Sequence, residues 1–359
     1  MKILIVVINN SHGGAEQYLK LIAHHFENHD VSIKFLKKNN SDFWNDTQHF
    51  SKHEFYSKSN VNFGVFRFIF RSLFKRSEYD FVFTSHVLTN ALVGFVTSLK
   101  FIRCRNFIAR ESTSIFIRYQ GLKLFIYKTL YKIGYKNITL LITQTEVMKL
   151  QLLSHFPRFA KRTRIEVISN PIDLEKSNAM ANEEIDNHYK RNMVVSAGRL
   201  IPEKGYDILI NAFSHLLKSN PDLKLVIFGE GPERNHLSKL ILKLQLSNHV
   251  TLHGHILNVY SHFKNAHLCV VSSRIEGFPN VLLQMMSQNV NIVSTECAGG
   301  IDEIPGIYSC ETNNERNLLD SMKDCLSVNN EANRSIFDAF LKERSIQGFM
   351  HKVNQYIED

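Results

Sequence analysis

The sequence predicts an α/β protein with two doubly wound domains, each built on a parallel sheet. Short apolar runs alternate with longer amphipathic stretches in the first half of the chain, and the same alternation starts again in the second half. Apolar runs of this kind, without polar residues between, are typical of strands buried on both faces. The chain has 359 residues, a length that suits two domains of ordinary size.

The first half opens with a strand over Lys2–Ile8, bounded by two asparagines, and a helix over Ala15–His25. Five further apolar runs are predicted strands: Ser32–Leu36, Phe81–Thr84, Asn106–Ala109, Leu140–Thr143 and Ile165–Ile168. Four amphipathic stretches are predicted helices: Phe63–Lys75, Asn90–Leu99, Leu122–Ile133 and Glu146–Leu153.

The second half repeats this arrangement. Six predicted strands lie at Met193–Ala197, Leu223–Phe228, Val250–His253, Leu268–Val271, Val290–Ser294 and Ile307–Ser309. Six predicted helices lie at Tyr206–Ser219, Glu233–Leu244, Val259–Asn265, Val281–Gln288, Asn314–Val328 and Asn333–Arg344. Strands that alternate with helices predict parallel sheets with helices on both faces.

The domain boundary is predicted at Asn170-Pro171-Ile172-Asp173, before the polar stretch Lys176–Asn192. The expected domains are residues 1–172 and 173–340, and residues 341–359 are expected to form a helix that packs back on the first domain. Ligands bind beyond the carboxyl ends of the strands in such sheets. Two domains that face each other through those ends would enclose a cleft.

The basic charge of the chain is concentrated in one region. The formal net charge is +9, and residues 61–135 contain twelve Lys or Arg side chains and three acids, together with many Phe and Tyr residues. Three interpretations are open: an anionic membrane surface, nucleic acid, or two ordinary helices with solvated basic faces. No nucleic-acid motif accompanies the charge, so we expect no nucleic-acid partner.

Cysteine usage and hydropathy indicate the compartment. The five cysteines are scattered and no pair has the spacing of a metal site, which predicts a reduced, cytosolic protein without a metal centre. No run of about 18 uncharged apolar residues occurs, so no membrane-spanning helix is expected. Any contact with a membrane would then be peripheral.

The segment Ser272–Gln284 is the most informative part of the chain. Glu276 is followed by Gly277, Phe278, Pro279 and Asn280 and then by an apolar helical pattern. Pro279 suits the first turn of that helix, where a missing N–H costs nothing. Glu276 would then lie near free N–H groups that attract anions. The alternative is that Glu276 only caps the helix.

Two other loops follow predicted strands and carry groups suited to phosphate. Arg199 and Lys204 lie on one loop after the first strand of the second half. Arg offers a planar fork to phosphate oxygens and Lys a compact charge, whereas the alternative is a pair of solvated surface cations. Gly13 and Gly14, before the first helix, would let a ligand approach the backbone closely, or would only make a tight turn.

Further glycine loops follow two other strands of the second half. Gly229 and Gly231 flank Glu230, and His253-Gly254-His255 ends the next strand. Each loop would either shape a nucleotide pocket or turn the chain. Two histidines without a third ligand nearby are weak evidence for a metal.

The order of these motifs resembles the family 4 retaining glycosyltransferases over nearly the whole chain. The motifs that carry the resemblance are Gly-Gly-Ala-Glu, Ile-Ser-Asn-Pro-Ile-Asp, Ala-Gly-Arg-Leu with Lys-Gly, Gly-Glu-Gly-Pro, Ser-Ser-Arg-Ile-Glu-Gly-Phe-Pro-Asn and Gly-Gly-Ile-Asp-Glu-Ile. The resemblance implies the GT-B fold, in which two Rossmann-like domains face each other. It also implies that the first domain binds the acceptor and the second a nucleotide-sugar.

The resemblance implies roles for individual residues in the donor site. Gly13 and Gly14 would face the donor diphosphate, Arg199 and Lys204 would neutralise it as it leaves, and Glu276 would approach the sugar hydroxyls. In the family a second acid contacts the ribose, but Gln284 stands there in this chain. Gln still offers an acceptor and a donor, and the lost charge should weaken the contact by roughly 1 kcal/mol.

The acceptor side is less specific. Many relatives have a His or a Glu-containing segment that faces the acceptor, and His86 and Glu111 both follow predicted strands here. Either would orient the acceptor hydroxyl, and His12, beside the glycine pair, is a weaker candidate. The alternative for each of these residues is a purely structural role.

The implied activity is transfer of a sugar from a UDP- or GDP-linked donor to a glycan or polyprenyl-diphosphate-linked acceptor, as in O-antigen, capsule or lipopolysaccharide synthesis. No cofactor or metal is expected, and the enzyme is expected at the inner face of the cytoplasmic membrane. The alternatives are a nucleotide-sugar epimerase of the same fold, a non-catalytic relative and a module that binds nucleic acid.

Overall fold

A computed structural model describes residues 1–184 and 192–358 and divides the chain into two compact units. The first unit comprises Met1–Pro171 together with Ile346–Asp359, and the second comprises Ile172–Ser345. Labels below follow chain order. Part of the polar stretch Lys176–Asn192 lies outside the described residues.

The first unit is a parallel sheet of seven strands in the order β3-β2-β1-β4-β5-β6-β7. The strands are β1 (Lys2–Asn9), β2 (Asp30–Lys37), β3 (Ser51–Phe55), β4 (Ser77–Ser85), β5 (Ile102–Arg110), β6 (Leu140–Thr143) and β7 (Arg164–Val167). The helices are α1 (Gly14–His25), α2 (Val61–Phe74), α3 (Val87–Ser98), α4 (Ile115–Arg118), α5 (Gly121–Gly134), α6 (Glu146–His155) and α14 (Ile346–Glu358).

Helices cover both faces of this sheet because side chains alternate along each strand. Leu4 and Val6 of β1 point into a core that contains side chains of α2, α3 and α5. Ile3, Ile5 and Val7 point into a second core with side chains of α1 and α14. The C-terminal helix α14 therefore completes the core of the first unit.

The second unit is a parallel sheet of six strands in the order β10-β9-β8-β11-β12-β13. The strands are β8 (Met193–Ala197), β9 (Lys224–Phe228), β10 (Val250–Gly254), β11 (Leu268–Val271), β12 (Ile292–Thr295) and β13 (Tyr308–Cys310). The helices are α7 (Leu174–Ala181), α8 (Tyr206–Leu216), α9 (Arg234–Lys243), α10 (Tyr260–Asn265), α11 (Asn280–Met286), α12 (Glu315–Ser327) and α13 (Asn333–Lys342).

The two sheets confirm the predicted fold class, and the differences in detail have local causes. Edge strand β3 is absent from the prediction, because its sequence Ser-Lys-His-Glu-Phe is mostly polar and half-exposed. Strand β12 starts two residues later than predicted. The Asn289 side chain accepts a hydrogen bond from the Asn291 N–H (2.8 Å) and donates to the carbonyl of Phe263 (2.7 Å), which stabilises a turn there.

Each sheet reverses its strand order once, and the candidate site residues lie on the loops at these reversal points. The reversal lies between β1 and β4 in the first unit and between β8 and β11 in the second. Loops diverge at such a point and leave a crevice beyond the carboxyl ends of the strands, where doubly wound proteins bind ligands. The loops that follow these four strands carry His12, Gly13, His86, Arg199, Lys204 and Glu276. Among the described residues, no helix is long and apolar enough to cross a bilayer.

Candidate functional site

Hydrogen bonds join the loops that follow β8 and β11 at the reversal point of the second unit. The Ser272 hydroxyl donates to the carbonyl of Lys204 (3.0 Å), and the Arg274 N–H donates to the carbonyl of Glu203 (2.7 Å). The Arg274 guanidinium also forms a two-fold contact with the Asp207 carboxylate, at 2.9 and 2.6 Å. Bidentate pairs of this kind fix the orientation of both side chains. The two loops therefore hold each other in a defined geometry.

Lys204 and Glu276 meet at the centre of these loops. The Lys204 ammonium donates to Glu276 Oε1, and the Ser273 hydroxyl donates to the same oxygen at 3.0 Å. The two side chains are 17% and 20% exposed. A shielded ion pair gains little net stability, because desolvation offsets much of the attraction. The contact between Lys204 and Glu276 therefore adds little net stability to the fold.

The carboxylate of Glu276 also affects two buried neighbours. Burial, together with the charge of Glu276, raises the pKa of the Tyr206 hydroxyl above its ordinary value and the pKa of the Cys297 thiol to about 12. Both groups are consequently neutral at physiological pH. Lys204 and Glu276 then supply the charges at the centre of these loops.

The structure corrects the predicted link between Glu276 and the helix that follows it. Helix α11 begins at Asn280, no side chain caps it, and Pro279 precedes it with extended backbone (ψ 103°) instead of lying in its first turn. Glu276 therefore does not cap this helix. Its carboxylate is directed towards Lys204 and Ser273.

The other predicted donor residues surround this pair. Arg199 is exposed on the same loop as Lys204. Gly277 is buried, and Phe278 packs partly buried against the core of the second unit. The Gln284 amide donates to the hydroxyl of Tyr260 (3.1 Å).

The glycine loops bring backbones into contact. A Cβ atom at Gly229, where φ is 148°, would lie 1.8 Å from the carbonyl oxygen of Gly198, and one at Gly231 would lie 2.3 Å from that of Leu200. The Gly229 N–H donates to the carbonyl of Gly254 at 2.8 Å. Close packing therefore accounts for these glycines, and their predicted contact with a nucleotide stays a prediction.

Two histidines flank the aromatic side chain that ends β9. The ring centroids of His253 and His262 lie 5.0 and 4.5 Å from that of Phe228. Burial lowers the pKa of His262, and the neighbouring His253 adds to the effect. His253 and His255 are both exposed. Within the described ranges, no group of three or more His, Cys, Asp or Glu side chains is placed to hold a metal ion.

His86 occupies the reversal point of the first unit in a strained conformation. Its φ of 113° is one that side-chain-bearing residues rarely adopt, and such a residue costs roughly 1–3 kcal/mol. Ring atom Nδ1 lies 2.8 Å from the Ser112 hydroxyl, and Nε2 lies 3.7 Å from the Glu16 carboxylate. The imidazole is one-third exposed. Two polar neighbours thus orient a ring that remains accessible.

The glycine pair lies beside this histidine. Gly13 precedes α1 with extended backbone, and Gly14 is the first residue of the helix. A Cβ atom at Gly13 would lie 2.4 Å from Glu16 Oε2, so a larger residue would displace the carboxylate that faces His86. His12 contacts Gln17 (2.8 Å) and the ring of Phe43.

The structure does not place Glu111 where an acceptor could reach it. This side chain is buried, and its two carboxylate oxygens accept hydrogen bonds from the hydroxyls of Tyr131 (2.7 Å) and Tyr135 (2.5 Å). Burial raises the pKa of the Glu111 carboxyl, although hydrogen bonds from Tyr135, Tyr131 and Asn90 act against this change. Glu111 therefore links β5 to α5, and of the two candidates that follow β4 and β5, His86 is the accessible one.

The raised pKa of Glu111 predicts a pH effect on stability. Between the ordinary carboxyl pKa of 4.5 and the raised value, the folded chain binds more protons than the unfolded chain, so stability falls as pH rises. Glu111→Gln removes this titration. We expect the unfolding free energy of the wild type, minus that of the variant, to decrease as the pH rises above 4.5, as measured by urea denaturation. Parallel curves would contradict the prediction.

Sequence reasoning misses the partners of the candidate residues. Glu16 lies within the quoted Gly-Gly-Ala-Glu motif and Ser112 follows Glu111, but the sequence pattern alone assigns neither a role. Arg110 is buried as well: its guanidinium donates to Ser85 (3.0 Å) and to Asn170, and burial lowers its pKa to about 10. A partial signal exists, because Arg110 and Ser112 lie just beyond the carboxyl end of the predicted strand Asn106–Ala109.

Comparisons with known proteins show similarity to glycosyltransferases. Residues 180–339 match the family model described as glycosyl transferases group 1. An uncharacterized glycosyltransferase of Methanocaldococcus jannaschii is 34% identical over 179 residues, which cover 48% of this chain and 44% of that protein. A Campylobacter jejuni protein is 30% identical over 203 residues, which cover 55% and 54%. It is named N-acetylgalactosamine-N,N'-diacetylbacillosaminyl-diphospho-undecaprenol 4-alpha-N-acetylgalactosaminyltransferase.

The chain spans about half the length of these two curated relatives. A likeness in structure extends over the whole chain. HepE of Anabaena, solved in complex with UDP-glucose, superposes with a TM-score of 0.80 at 17% identity and covers 100% of this chain and 99% of that one. At this identity the likeness shows the fold, which is GT-B.

Proposed function

We propose that this chain, which carries a domain of the glycosyl transferases group 1 family, is an enzyme that moves a sugar from a nucleotide-diphosphate donor to an acceptor hydroxyl. The GT-B fold is the one that the sequence motifs predicted, and residues 180–339 match a model of glycosyl transferases group 1. The observation that carries the proposal is the contact of Lys204 with Glu276 at the strand reversal of the second unit. A cation there suits a phosphate, and a carboxylate beside it suits sugar hydroxyls.

The donor would bind with its diphosphate at the loop that follows β8. Arg199 is exposed there, and the Lys204 ammonium is already oriented by Glu276. In the bound state the ammonium would share its donors between the carboxylate and a phosphate oxygen. Glu276, which keeps its hydrogen bond from Ser273, would accept hydrogen bonds from the hydroxyls of the sugar.

The reaction would retain the anomeric configuration. The bond from the anomeric carbon to the diphosphate oxygen breaks, and the acceptor oxygen bonds to that carbon on the same face. The acceptor proton passes to the departing phosphate. Arg199 and Lys204 would stabilise the negative charge that grows on the diphosphate, which is the kind of term that dominates many enzymatic rates. This mechanism needs no side-chain nucleophile and no metal.

The acceptor would approach the first unit at His86. Glu16 and Ser112 hold the two ring nitrogens of this histidine, and the strained backbone places the ring beyond the end of β4. Strain of this size persists where the surroundings enforce it, which is common at functional sites. The imidazole would orient the acceptor hydroxyl.

For the acceptor we propose a glycan or a polyprenyl-diphosphate-linked sugar, used in the synthesis of a surface polysaccharide such as capsule, O-antigen or lipopolysaccharide. The name of the Campylobacter jejuni relative contains such a lipid-linked acceptor. For the donor we propose a UDP- or GDP-linked hexose or N-acetylhexosamine, and the UDP-glucose held by HepE supports UDP. The enzyme would then act in the cytoplasm, at the inner face of the membrane.

Nucleotide binding and product analysis test this function. A thermal-shift panel should show stabilisation by UDP or GDP, since a ligand at 100 times its Kd adds about 2.7 kcal/mol. Incubation of the preferred nucleotide-sugar with a short-chain polyprenyl-diphosphate-linked sugar should release nucleoside diphosphate and lengthen the acceptor by one sugar. An epimer formed from the donor alone would favour the epimerase. Binding without turnover over a panel of acceptors would favour a non-catalytic relative.

A further inference from the structure

Helix α2 exposes a stripe of aromatic side chains on the face opposite its buried one. Phe63, Phe66, Phe70 and Phe74 are 44%, 63%, 53% and 77% exposed, and separations of three and four residues place them along one side of the helix. Phe68 is fully buried on the other side. Hydrophobic residues on a surface helix normally face the core. Packing within the described part of the first unit therefore does not explain this stripe.

Helix α5 has a second exposed apolar face. Leu122, Phe125, Ile126 and Ile133 are all at least half exposed, whereas Tyr131 is buried. Side chains of α2, α3 and α5 share one core, so the three helices lie on the same face of the sheet. Both stripes therefore belong to one side of the first unit. We call the exposed faces of α2 and α5 the aromatic-basic surface.

Cations accompany both stripes and acids are absent from both helices. Helix α2 carries Arg67 and Arg71, and α5 carries three lysines (Lys123, Lys128 and Lys132). Residues 61–77 and 112–145 contain no Asp or Glu. The Arg67 guanidinium lies 4.5 Å from the ring centroid of Phe63, so charge and aromatic surface are adjacent. Apolar stripes flanked by cations, without acids, complement an anionic lipid surface.

We infer that the aromatic-basic surface binds the surface of an anionic lipid bilayer, with the exposed Phe side chains of α2 inserted at the headgroup boundary. The inference rests on the proposed function in one respect: the proposed function explains why binding to the bilayer would be useful, since it would give access to a lipid-linked acceptor. At about 1.5 Å per residue, the 14-residue helix α2 is too short to span a bilayer and lies in its surface.

A second copy of the chain fits this surface less well. A two-fold dimer brings the same patch of both subunits together. The aromatic-basic surface would then place Arg67 and the lysines of α5 against identical cations, with no acid on either helix to compensate. Arg71 is partly compensated by Glu54 of β3, at 3.9 Å. Like charges brought together and shielded from water repel. An anionic bilayer meets the same cations with phosphates.

Vesicle sedimentation with the full-length chain tests the inference. The wild type should bind phosphatidylglycerol vesicles and leave phosphatidylcholine vesicles largely unbound, and added salt should weaken but not abolish the binding. The variant F66S/F70S/F74S should lose binding to anionic vesicles by at least tenfold. The matched control V147S/L150S, which alters two exposed apolar residues of α6 in the same unit, should bind like the wild type.

Five outcomes would overturn the inference: no binding by the wild type, equal binding to both lipids, normal vesicle binding by the triple variant, equal losses in both variants, or a wild-type dimer that the triple variant abolishes. Unchanged melting temperatures exclude misfolding. Measuring sugar transfer to a water-soluble acceptor separates the membrane-binding proposal from the proposed function. If the triple variant binds vesicles normally, the membrane-binding proposal is wrong and the transferase activity is unaffected. If the wild type binds vesicles but transfers no sugar, the proposed function is wrong and the membrane-binding proposal is unaffected.

Discussion

Lys204→Ala should lower kcat by about 10²–10³-fold while the chain still folds, because removal of one group that stabilises developing charge in an enzyme costs about that much. The Lys204 ammonium is the cation that the second unit holds against Glu276, and in the proposed reaction a diphosphate that departs without it would be stabilised by Arg199 alone. The loss should appear mainly in kcat, since the charge on the leaving group grows in the transition state.

Steady-state release of nucleoside diphosphate measures this effect. Lys239→Ala, which removes an exposed lysine of α9 in the same unit, is the matched control and should retain wild-type turnover. A moderate fall in melting temperature is expected for Lys204→Ala, because Glu276 keeps only its hydrogen bond from Ser273. Turnover of Lys204→Ala within a few-fold of the wild type would remove the assignment of this residue to the diphosphate.

Gly229→Ala should destabilise the second unit by roughly 3–5 kcal/mol, the combined cost of overpacking and of a backbone conformation that glycine alone adopts easily. The new Cβ atom would lie 1.8 Å from the carbonyl oxygen of Gly198, a backbone atom that cannot rotate away. The loops that follow β8 and β9 would have to separate. Because the first of these loops carries Arg199 and Lys204, donor binding should weaken as well.

Gly121→Ala provides the matched control for this substitution. Gly121 also has a positive φ, of 57°, but a Cβ atom added there would meet no described atom within 4 Å, so backbone strain of about 1 kcal/mol is the whole expected cost. Thermal denaturation of both variants compares the two costs. Equal shifts in melting temperature would show that backbone contact with Gly198 does not constrain this loop.

The secondary structure follows from local sequence wherever an element is buried. Strand β6 matches its prediction to the residue at Leu140–Thr143, because such a short apolar run has no other favourable environment. Edge strand β3 is not predicted from the sequence, because it is stabilised by backbone hydrogen bonds to β2 and not by burial of an apolar run. The predicted first-turn position of Pro279 is wrong by one residue, because Pro279 has extended backbone and precedes the first residue of α11, Asn280.

Glu111 and α2 show what local sequence does not contain. Both His86 and Glu111 follow apolar strands and carry groups suited to catalysis, but only packing against Tyr131 and Tyr135 reveals that Glu111 is interior. Likewise, α2 is apolar on two faces, and its sequence does not say which face is buried. The core around Phe68 decides this, and the stripe on the other face is left exposed.

The sequence by itself determined the two parallel-sheet domains, the order of the glycosyltransferase motifs and the concentration of positive charge near the middle of the first half. These properties follow from hydrophobic periodicity and residue type, which are local. The motif resemblance implied that Lys204 and Glu276 serve one ligand, but only the tertiary structure decided that these side chains, 72 residues apart, contact each other directly. Their contact depends on the adjacency of β8 and β11, which are paired by backbone hydrogen bonds and separated in the chain by β9 and β10.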